Sequence, residues 1–357
     1  MSALSRRDFM ASGASALALA GCQSGGSFGF RSEPGFIWAY LVHFGCNCWK
    51  DVPPERVPRH GKKPMDWLLT RCQYDHVRFD EDAWKDISAR LAKAGVNMIV
   101  IDLAEFVRYE SHPELAVEGS WDVGRLCAEI ARLRGMGFEV IPKLNFSTSH
   151  DSWLKEYHRM VSTPAYYRVC EDLVREVIGM FDRPRLFHLG FDEETAGQQW
   201  DCEHVVVRQG DLWWHDLNWF VSVVEKSGCR PWVWSDAYWH HPEEFLRRMS
   251  REVLQSNWYY GAEFDPAKVS EDRRIRLRAY EDFERAGFDQ IPTGSNYSCD
   301  TNFEGSVALC DKVISPAHLK GYLMAPWARP LGNDKADAAQ RAAVEQMAST
   351  ILLHRGR

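Results

Sequence analysis

The sequence Phe187-His188-Leu189-Gly190-Phe191-Asp192-Glu193-Glu194 decides both the predicted fold and the predicted position of the site. After Arg183-Pro184 it begins as a short apolar run of the kind that forms a buried strand. The run ends at a glycine, and three carboxylates follow it directly. A strand that ends in this way brings acidic side chains to the mouth of the structure that it helps to build.

Two adjacent carboxylates, Asp192 and Glu193, are the predicted catalytic pair. Neighbouring side chains of a regular strand point to opposite faces, so the two share one site only if the strand ends or twists between Gly190 and Glu193. Like charges that lie close together raise one of the two pKa values, which suits a general acid. The alternative is that Asp192, Glu193 or Glu194 only caps the next helix.

The N-terminus predicts a targeting segment. A twin-arginine sequence at residues 5–10 precedes a short apolar stretch and the lipobox Leu19-Ala20-Gly21-Cys22. We therefore predict a signal peptide at residues 1–21, a lipidated Cys22 with a flexible tether at 22–35, and one catalytic domain at 36–357. Export by the twin-arginine route would leave the protein lipid-anchored in the periplasm or at the cell surface, and Gln23 favours the outer membrane.

The composition excludes several classes of partner. The chain is 45% hydrophobic and 26% charged with a net charge of −7, which predicts a large core and argues against a polyanion partner. Nucleic acid is excluded because no basic stripe with interleaved aromatic residues occurs. Fifteen tryptophans and twelve tyrosines are many for this length, and aromatic rings either stack on sugars or fill a core.

The cysteines predict neither a metal centre nor a cofactor site. Cys46-x-Cys48 has no second Cys/His pair to complete a metal site, and no H-x-H pair occurs in the predicted strands. Four cysteines in helix-like segments are expected to be small buried apolar residues: Cys127, Cys170, Cys229 and Cys310. Five in loops have no connectivity that the sequence defines: Cys46, Cys48, Cys72, Cys202 and Cys299.

Strand-like runs alternate with amphipathic segments along the whole chain, which predicts an α/β fold, a single-domain (β/α)8 TIM barrel. The predicted strands are Ile37–Phe44, Asn97–Asp102, Glu139–Asn145, Leu186–Gly190, Pro231–Ser235, Val253–Trp258, Gln290–Gly294 and Tyr322–Trp327. The predicted helices are Asp82–Ala94, Val123–Met136, Pro164–Phe181, Asp211–Ser227, Pro242–Arg251, Asp272–Ala286, Asn302–Leu319 and Lys335–Leu353. A doubly wound sheet is the alternative, but no Gly-rich phosphate loop follows the first strand.

The residues at the carboxyl ends of these strands have the composition of a carbohydrate site. Carboxylates, other polar groups and tryptophans converge there without a phosphate-binding loop. They are His43, Asn47, Trp49, Asp102, Glu105, Lys143, Asn145, His150, His188, Asp192, Glu193, Trp234, Asp236, Asn257, Trp258, Asn296, Tyr297, Asp300, Trp327 and Arg329.

At these residues the chain resembles glycoside hydrolase family 20, the β-N-acetylhexosaminidases. His188-Leu189-Gly190-Phe191-Asp192-Glu193 is similar to the H-x-G-x-D-E motif of the family and falls on the fourth strand, as it does there. Three weaker similarities follow in the family's order: Gly95–Met98 with Arg108–Leu115, Ile141–His150, and Val233–Asp236. The chain departs from the pattern where the first strand lacks an arginine, where Trp327 precedes Ala328-Arg329, and where Lys143 replaces a common glutamate.

This resemblance implies a retaining, substrate-assisted hydrolysis in which the sugar's own 2-acetamido oxygen attacks the anomeric carbon. Glu193 is then the general acid and base, and Asp192 holds the acetamido N–H. The resemblance also implies substrate-binding roles for Tyr297, which would donate to the acetamido oxygen, and for Trp234, Trp258, Trp327, His150 and His188. Asp236, Asp300 and Asn145 complete the predicted site, whose substrate is an oligosaccharide or glycoconjugate.

Two other interpretations stay open on the sequence alone. The first is a glycosidase of other specificity that uses two protein carboxylates, with Glu193 as acid and Asp102, Asp236 or Asp300 as its partner. The other is a lipoprotein that binds glycans on its aromatic face without turnover.

Overall fold

The computed structural model of the chain describes residues 35–45, 49–61, 63–64 and 69–356. The predicted signal peptide, Cys22 and all but the last residue of the predicted tether lie outside the described residues, as do Cys46, Asn47 and Cys48. The predictions on these residues therefore stay predictions. Across the described part of the chain, none of the helices combines the length and the apolar character that crossing a bilayer requires.

Eight short parallel strands form the predicted barrel. They are β1 (Ile37–His43), β2 (Met98–Asp102), β3 (Glu139–Lys143), β4 (Leu186–His188), β5 (Arg230–Trp234), β6 (Leu254–Ser256), β7 (Thr293–Gly294) and β8 (Gly321–Met324). Each strand pairs with its neighbour in chain order except β6 with β7, and β1 also pairs with β8. Isolated parallel bridges from Gln255 to Gln290 and from Trp258 to Thr293 join β6 to β7. The ring is therefore nearly closed, and the predicted TIM barrel is confirmed.

Helices follow the strands on the outside of the ring. They are α1 (Glu81–Ala94), α2 (Val123–Gly135), α3 (Pro164–Met180), α4 (Asp211–Lys226), α5 (Ala237–His240), α6 (Pro242–Arg248), α7 (Glu271–Ala286), α8 (Asn302–Val313) and α9 (Asp334–Arg355). Within the described residues, the loops carry five 3₁₀ segments and one small hairpin. The segments are Pro54–Arg56, Ala104–Phe106, Pro113–Leu115, Ser152–Arg159 and Ala196–Gln199, and the hairpin pairs Arg59–His60 with Lys63–Pro64.

Local sequence explains where these helices begin and end. The Asp80 side chain accepts a hydrogen bond from the Ala83 N–H at the start of α1, and Asp122 does the same for Arg125 at the start of α2. At the end of α1, Gly95 takes a left-handed conformation at φ 86°, which turns the chain back toward β2. The predicted extension of α8 to Leu319 is wrong, because Pro316 follows and the chain is already extended at Ile314.

The alternation of side chains along the strands decides which residues enter the barrel. In β1, Ile37, Ala39 and Leu41 pack inside, whereas the residues between them pack against the helices. His43 is next in the inward series, and the same period of two directs Asp102, Lys143 and His188 inward from β2, β3 and β4. The polar side chains of the site therefore continue the inner face of the barrel at its carboxyl end.

The cysteines agree with the sequence in part. Cys170, Cys229 and Cys310 are free and buried, as expected of small packing residues. Cys127, which was expected to be of the same kind, is disulfide-bonded instead. Among the loop cysteines, Cys72, Cys202 and Cys299 are free.

Candidate active site

The adjacent acids that follow β4 meet at one histidine. His150 Nε2 lies 3.4 Å from Asp192 Oδ2 and 3.3 Å from Glu193 Oε2. The Asp192 side chain is 8% exposed, whereas that of Glu193 is 29% exposed. The two carboxylates thus share one site, and Glu193 is the one that solvent or a ligand reaches.

A run of left-handed residues makes this convergence possible. Gly190, Phe191 and Glu193 have φ values of 78°, 69° and 55°, so the chain leaves the pleat of β4 before it reaches the acids. Only glycine fits at the first of these positions, because a Cβ atom on Gly190 would lie 2.0 Å from Asn145 Oδ1. The twist that the sequence required between Gly190 and Glu193 is therefore present.

Hydrogen bonds from neighbouring loops hold this strained turn in place. Asp236 Oδ2 accepts the Glu193 N–H at 2.8 Å, and Ser149 Oγ donates to the Glu193 carbonyl at 2.5 Å. Asn145 Nδ2 donates to Asp192 Oδ1 at 3.0 Å, and Ser147 donates to the Asp192 carbonyl. The loops after β3 and β5 thus fix the acid and its partner together.

A second anchor is the buried pair of Glu194 and Arg208. The Arg208 guanidinium donates to Glu194 Oε1, to the Phe146 carbonyl at 2.5 Å, and to Asp216 Oδ2 at 3.5 Å. Glu194 Oε1 also accepts the Thr148 N–H at 2.8 Å. Glu194 is therefore engaged as a structural anchor, and it ties the turn at residues 190–193 (the candidate catalytic turn) to the loop after β3.

The pKa values separate the carboxyls of the site into different protonation states. Burial acts to raise the pKa of Asp192, but the charge and hydrogen bond of His150 outweigh it, so the pKa lies well below its ordinary value. Burial acts to lower the pKa of His150, yet the charges of Asp192 and Glu193 raise it to about 9. Burial and the negative charge of Asp192 raise the pKa of Asp236 to about 8. Near neutral pH the site thus holds an anionic Asp192, a cationic His150 and a protonated Asp236.

A connected group of aromatic rings packs beside the histidine that the two acids share. The Trp49 ring lies 4.6 Å from the His150 ring and 6.0 Å from Trp327, and Trp327 lies 6.0 Å from Trp234. Trp258 stacks on Tyr260 at 5.0 Å, and Tyr260 in turn lies 6.3 Å from Trp327. The predicted residues Trp234, Trp258 and Trp327 therefore belong to one wall, which Trp49 and Tyr260 complete.

Several buried polar atoms of this region have no hydrogen-bond partner among the described residues. They are His43 Nε2, Trp49 Nε1, Asp102 Oδ1, His188 Nε2, Trp234 Nε1, Asp236 Oδ1, the Tyr260 hydroxyl and Trp327 Nε1. Because a buried polar group without a partner costs about 1–3 kcal/mol, such a group in a native structure calls for an explanation. A ligand with many hydroxyl groups would satisfy both the donors and the acceptors.

The inner end of the site carries a buried charge cluster. Asp102 Oδ2 lies 2.6 Å from Lys143 Nζ and 3.1 Å from His43 Nδ1, and all three side chains are fully buried. Burial acts to raise the pKa of Asp102, but Lys143 and His43 lower it to about 2. Burial lowers the pKa of His43, so its imidazole is a neutral hydrogen-bond partner and Lys143 is the cation of the cluster. Asp102 is engaged by both residues, which removes it from the list of free carboxylates.

Two predicted site residues lie at the protein surface and not among the buried side chains described above. The Tyr297 side chain is 60% exposed, and Asp300 is exposed as well. In contrast, the Tyr260 hydroxyl is buried, and burial raises its pKa well above the ordinary value. The negative charges of Glu193, Asp192 and Asp236 raise this pKa further, so the hydroxyl lies near all three carboxyl groups. Tyr260 was not among the predicted site residues, although its position two residues after Trp258 is a signal that both rings share one face.

A cavity of about 460 Å³ adjoins the catalytic turn. It lies outside the ring, between the loops after β4 and β5, and Phe191, Trp213, His240 and Asp236 contribute to its wall. Asp236 therefore borders both this cavity and the backbone of Glu193.

Solved structures share this fold. A GH20 exo-β-N-acetylglucosaminidase from Vibrio harveyi, solved with N-acetylglucosamine, superposes with a TM-score of 0.57 at 13% identity over 89% of this chain. A GH20 β-N-acetylhexosaminidase from Streptomyces coelicolor A3(2) gives the same three values. Dispersin B gives a TM-score of 0.52 at 14% identity, covering 77% of this chain and 95% of its own. This chain spans only 55% and 64% of the first two proteins. No protein-family model and no curated protein matches the chain.

Proposed function

We propose that this protein is a glycoside hydrolase that cleaves β-linked 2-acetamido-2-deoxy sugars by a retaining, substrate-assisted reaction. The observation that carries the proposal is the meeting of Asp192 and Glu193 at His150, beside an aromatic wall at the carboxyl end of a TIM barrel. The shared fold with hexosaminidases agrees with it. The nucleophile in this proposal is the acetamido oxygen of the substrate, so no second protein nucleophile is needed.

Each acid has the environment that its role requires. Glu193 is the partly exposed carboxyl, so it can reach the leaving oxygen, protonate it, and then activate water as a base. Asp192 is buried and stays anionic, so it can accept the acetamido N–H and stabilise positive charge as it develops on the ring that forms. His150 touches both acids and holds them at the same site.

A second candidate function is a glycosidase with two protein carboxylates, and one observation favours it. Asp236 is the only one of the three predicted partners that contacts Glu193, since Asp300 is exposed and Asp102 is paired with Lys143. However, the raised pKa of Asp236 keeps its carboxyl protonated near neutral pH, which suits a hydrogen-bond donor better than a nucleophile. We therefore place this candidate second.

The proposal is tested with paired aryl glycosides that differ only at C2. We expect hydrolysis of aryl 2-acetamido-2-deoxy-β-glycosides and little or none of the matching 2-hydroxy compounds, because only the former carry the nucleophile. Equal rates on both would contradict the substrate-assisted reaction and support the two-carboxylate candidate. Binding of both sugars without any product would support a glycan-binding protein.

Replacement of Tyr260 by Phe separates the two tyrosines. If the buried Tyr260 hydroxyl donates to the acetamido oxygen, Tyr260→Phe should lower kcat by about 10²-fold, as the loss of one donor at a developing charge does. The fold should be unaffected, since the ring remains and the hydroxyl has no partner among the described residues. Tyr297→Phe, at an exposed ring, should leave kcat unchanged. Steady-state kinetics on the acetamido substrate would reveal the reverse order if Tyr297 has the role.

A further inference from the structure

Three possible metal ligands meet at the rim of the barrel, outside the proposed catalytic site. They are Asp51, His158 and His204, and one ligand atom of each lies within 4.8 Å of those of the other two. Asp51 Oδ2 lies 2.8 Å from His204 Nδ1 and 4.0 Å from His158 Nε2. The imidazole rings of His158 and His204 are nearly perpendicular, with centroids 6.2 Å apart. One nitrogen of each ring and one oxygen of Asp51 therefore form a compact group of three possible ligand atoms.

The shape of this cluster comes from three different loops. Asp51 belongs to the loop after β1, His158 to the 3₁₀ segment after β3, and His204 to the loop after β4. The Asp51 and His158 side chains are 5% and 6% exposed, and that of His204 is 43% exposed. Two ligands are therefore fixed by packing, while the third lies at the surface and leaves an entry path.

Backbone hydrogen bonds orient the carboxylate. Asp51 Oδ1 accepts the Glu203 N–H at 2.8 Å, and Oδ2 accepts the His204 N–H at 3.0 Å. Such outer hydrogen bonds are what positions a ligating carboxylate in metal sites. The Arg159 Nε donates to His158 Nε2 at 3.3 Å, and an ion at the cluster would replace that exposed side chain.

We propose that Asp51, His158 and His204 form a zinc-binding site that joins these three loops. Two imidazoles and one carboxylate are a ligand set that Zn²⁺ accepts, with bond lengths of about 2.0–2.2 Å and water at the fourth position. The ligand atoms of a tetrahedral zinc site with such bonds lie about 3.3 Å apart. The separations of 2.8 Å and 4.0 Å from Asp51 Oδ2 must therefore change by about 0.5 Å and 0.7 Å on binding. No spacing motif announces the site, because its ligands at positions 51, 158 and 204 come from three separate loops, which explains why the sequence predicted none.

The site would stabilise the wall of the catalytic region. Trp49, two residues before Asp51, packs 4.6 Å from the ring of His150 and 5.4 Å from that of His43. An ion at Asp51 would therefore fix the loop that carries this tryptophan. The zinc site stands independently of the glycosidase proposal, since its ligands do not include the acids.

Metal analysis of the full chain tests the proposal. Each protein is first stripped of metal with a chelator and then dialysed against Zn²⁺. Wild type should then hold about one more zinc ion per chain than His204→Ala or His158→Ala. His215→Ala is the matched control, because His215 is also an exposed histidine beside a buried aspartate but has no second histidine. Equal zinc content in wild type and His204→Ala would overturn the site, and the exposed His204 keeps this test valid even if His158→Ala fails to fold.

Thermal unfolding and cobalt spectra give a second readout. Zinc at a hundredfold excess over its Kd should raise the Tm of wild type and His215→Ala by about 5 °C and leave that of His204→Ala unchanged. Mg²⁺, which prefers oxygen ligands, should have no effect. Co²⁺ should show visible bands without intense thiolate charge-transfer absorption. A strong thiolate band would assign the ion to cysteines, and the same Tm rise in His204→Ala would assign it to another group, such as His150 with Asp192 and Glu193. Either result would overturn the proposal.

Discussion

Glu193→Gln should reduce kcat on an aryl 2-acetamido-2-deoxy-β-glycoside by about 10²–10⁴-fold. The amide keeps the size of the side chain and its place beside His150, but it cannot donate a proton to the leaving oxygen or accept one from water. Affinity for the sugar should change little, because the aromatic wall and Asp192 remain. Steady-state kinetics together with a binding titration would separate the loss of turnover from a loss of binding.

Glu156→Gln is the matched control for this variant. Glu156 is an exposed glutamate on the 3₁₀ segment after β3, so it experiences the same change of charge on the same side of the barrel. Its kcat should stay at the wild-type value. A Glu193→Gln enzyme with unchanged kcat would remove Glu193 from the role of general acid, and the C2 comparison would then show whether hydrolysis uses another carboxyl.

Arg208→Met should lower the free energy of unfolding by about 3–5 kcal/mol at neutral pH. The change removes the cation that neutralises two buried carboxylates, Glu194 and Asp216, while methionine fills most of the same volume. Asp151 lies in the same buried region, and neither of its oxygens has a hydrogen-bond partner among the described residues. Urea denaturation of variant and wild type measures the loss.

The pH dependence of this loss identifies its origin. Burial raises the pKa of Glu194 in the folded protein, and without Arg208 it should rise further above the unfolded value. The folded variant then binds a proton that the unfolded chain releases, so its stability falls relative to wild type as the pH rises above the ordinary pKa of a glutamate. Arg125→Met, which breaks an exposed pair with Glu81, should change stability by less than about 1 kcal/mol. A loss of equal size in both variants would contradict the buried-charge explanation.

The fold could be predicted from the sequence because the eight strands carry a clear periodic signal. Predicted and observed strands overlap in all eight cases, and most helix ends agree to within one residue, since caps such as Asp80 and Gly95 are local features. The strand ends were less certain. Asn145 and Gly190 were assigned to strands, but the chain leaves the ladder at Lys143 and His188 to form the catalytic turn. The short helix α5 was missed because four residues are too few for a periodic pattern.

The site could be predicted only where its residues follow the strand period. Lys143 and His188 continue the inward series of their strands, and Asp192 and Glu193 follow the fourth strand directly. The partner of Lys143, and the contact between Arg208 and Glu194, depend on how separate loops pack, and one sequence holds no signal for this. The same reason accounts for Tyr260, whose depth beneath Trp327 is a property of the assembled barrel.

The left-handed turn at Gly190 has a consequence for protein engineering. Its geometry depends on Asn145 from the loop after β3, on Asp236 from the loop after β5, and on Arg208 from the segment before α4. The eight residues 187–194 therefore do not adopt this geometry by themselves. Grafting them onto a foreign scaffold would transfer the sequence of the motif without the contacts that position its proton donor.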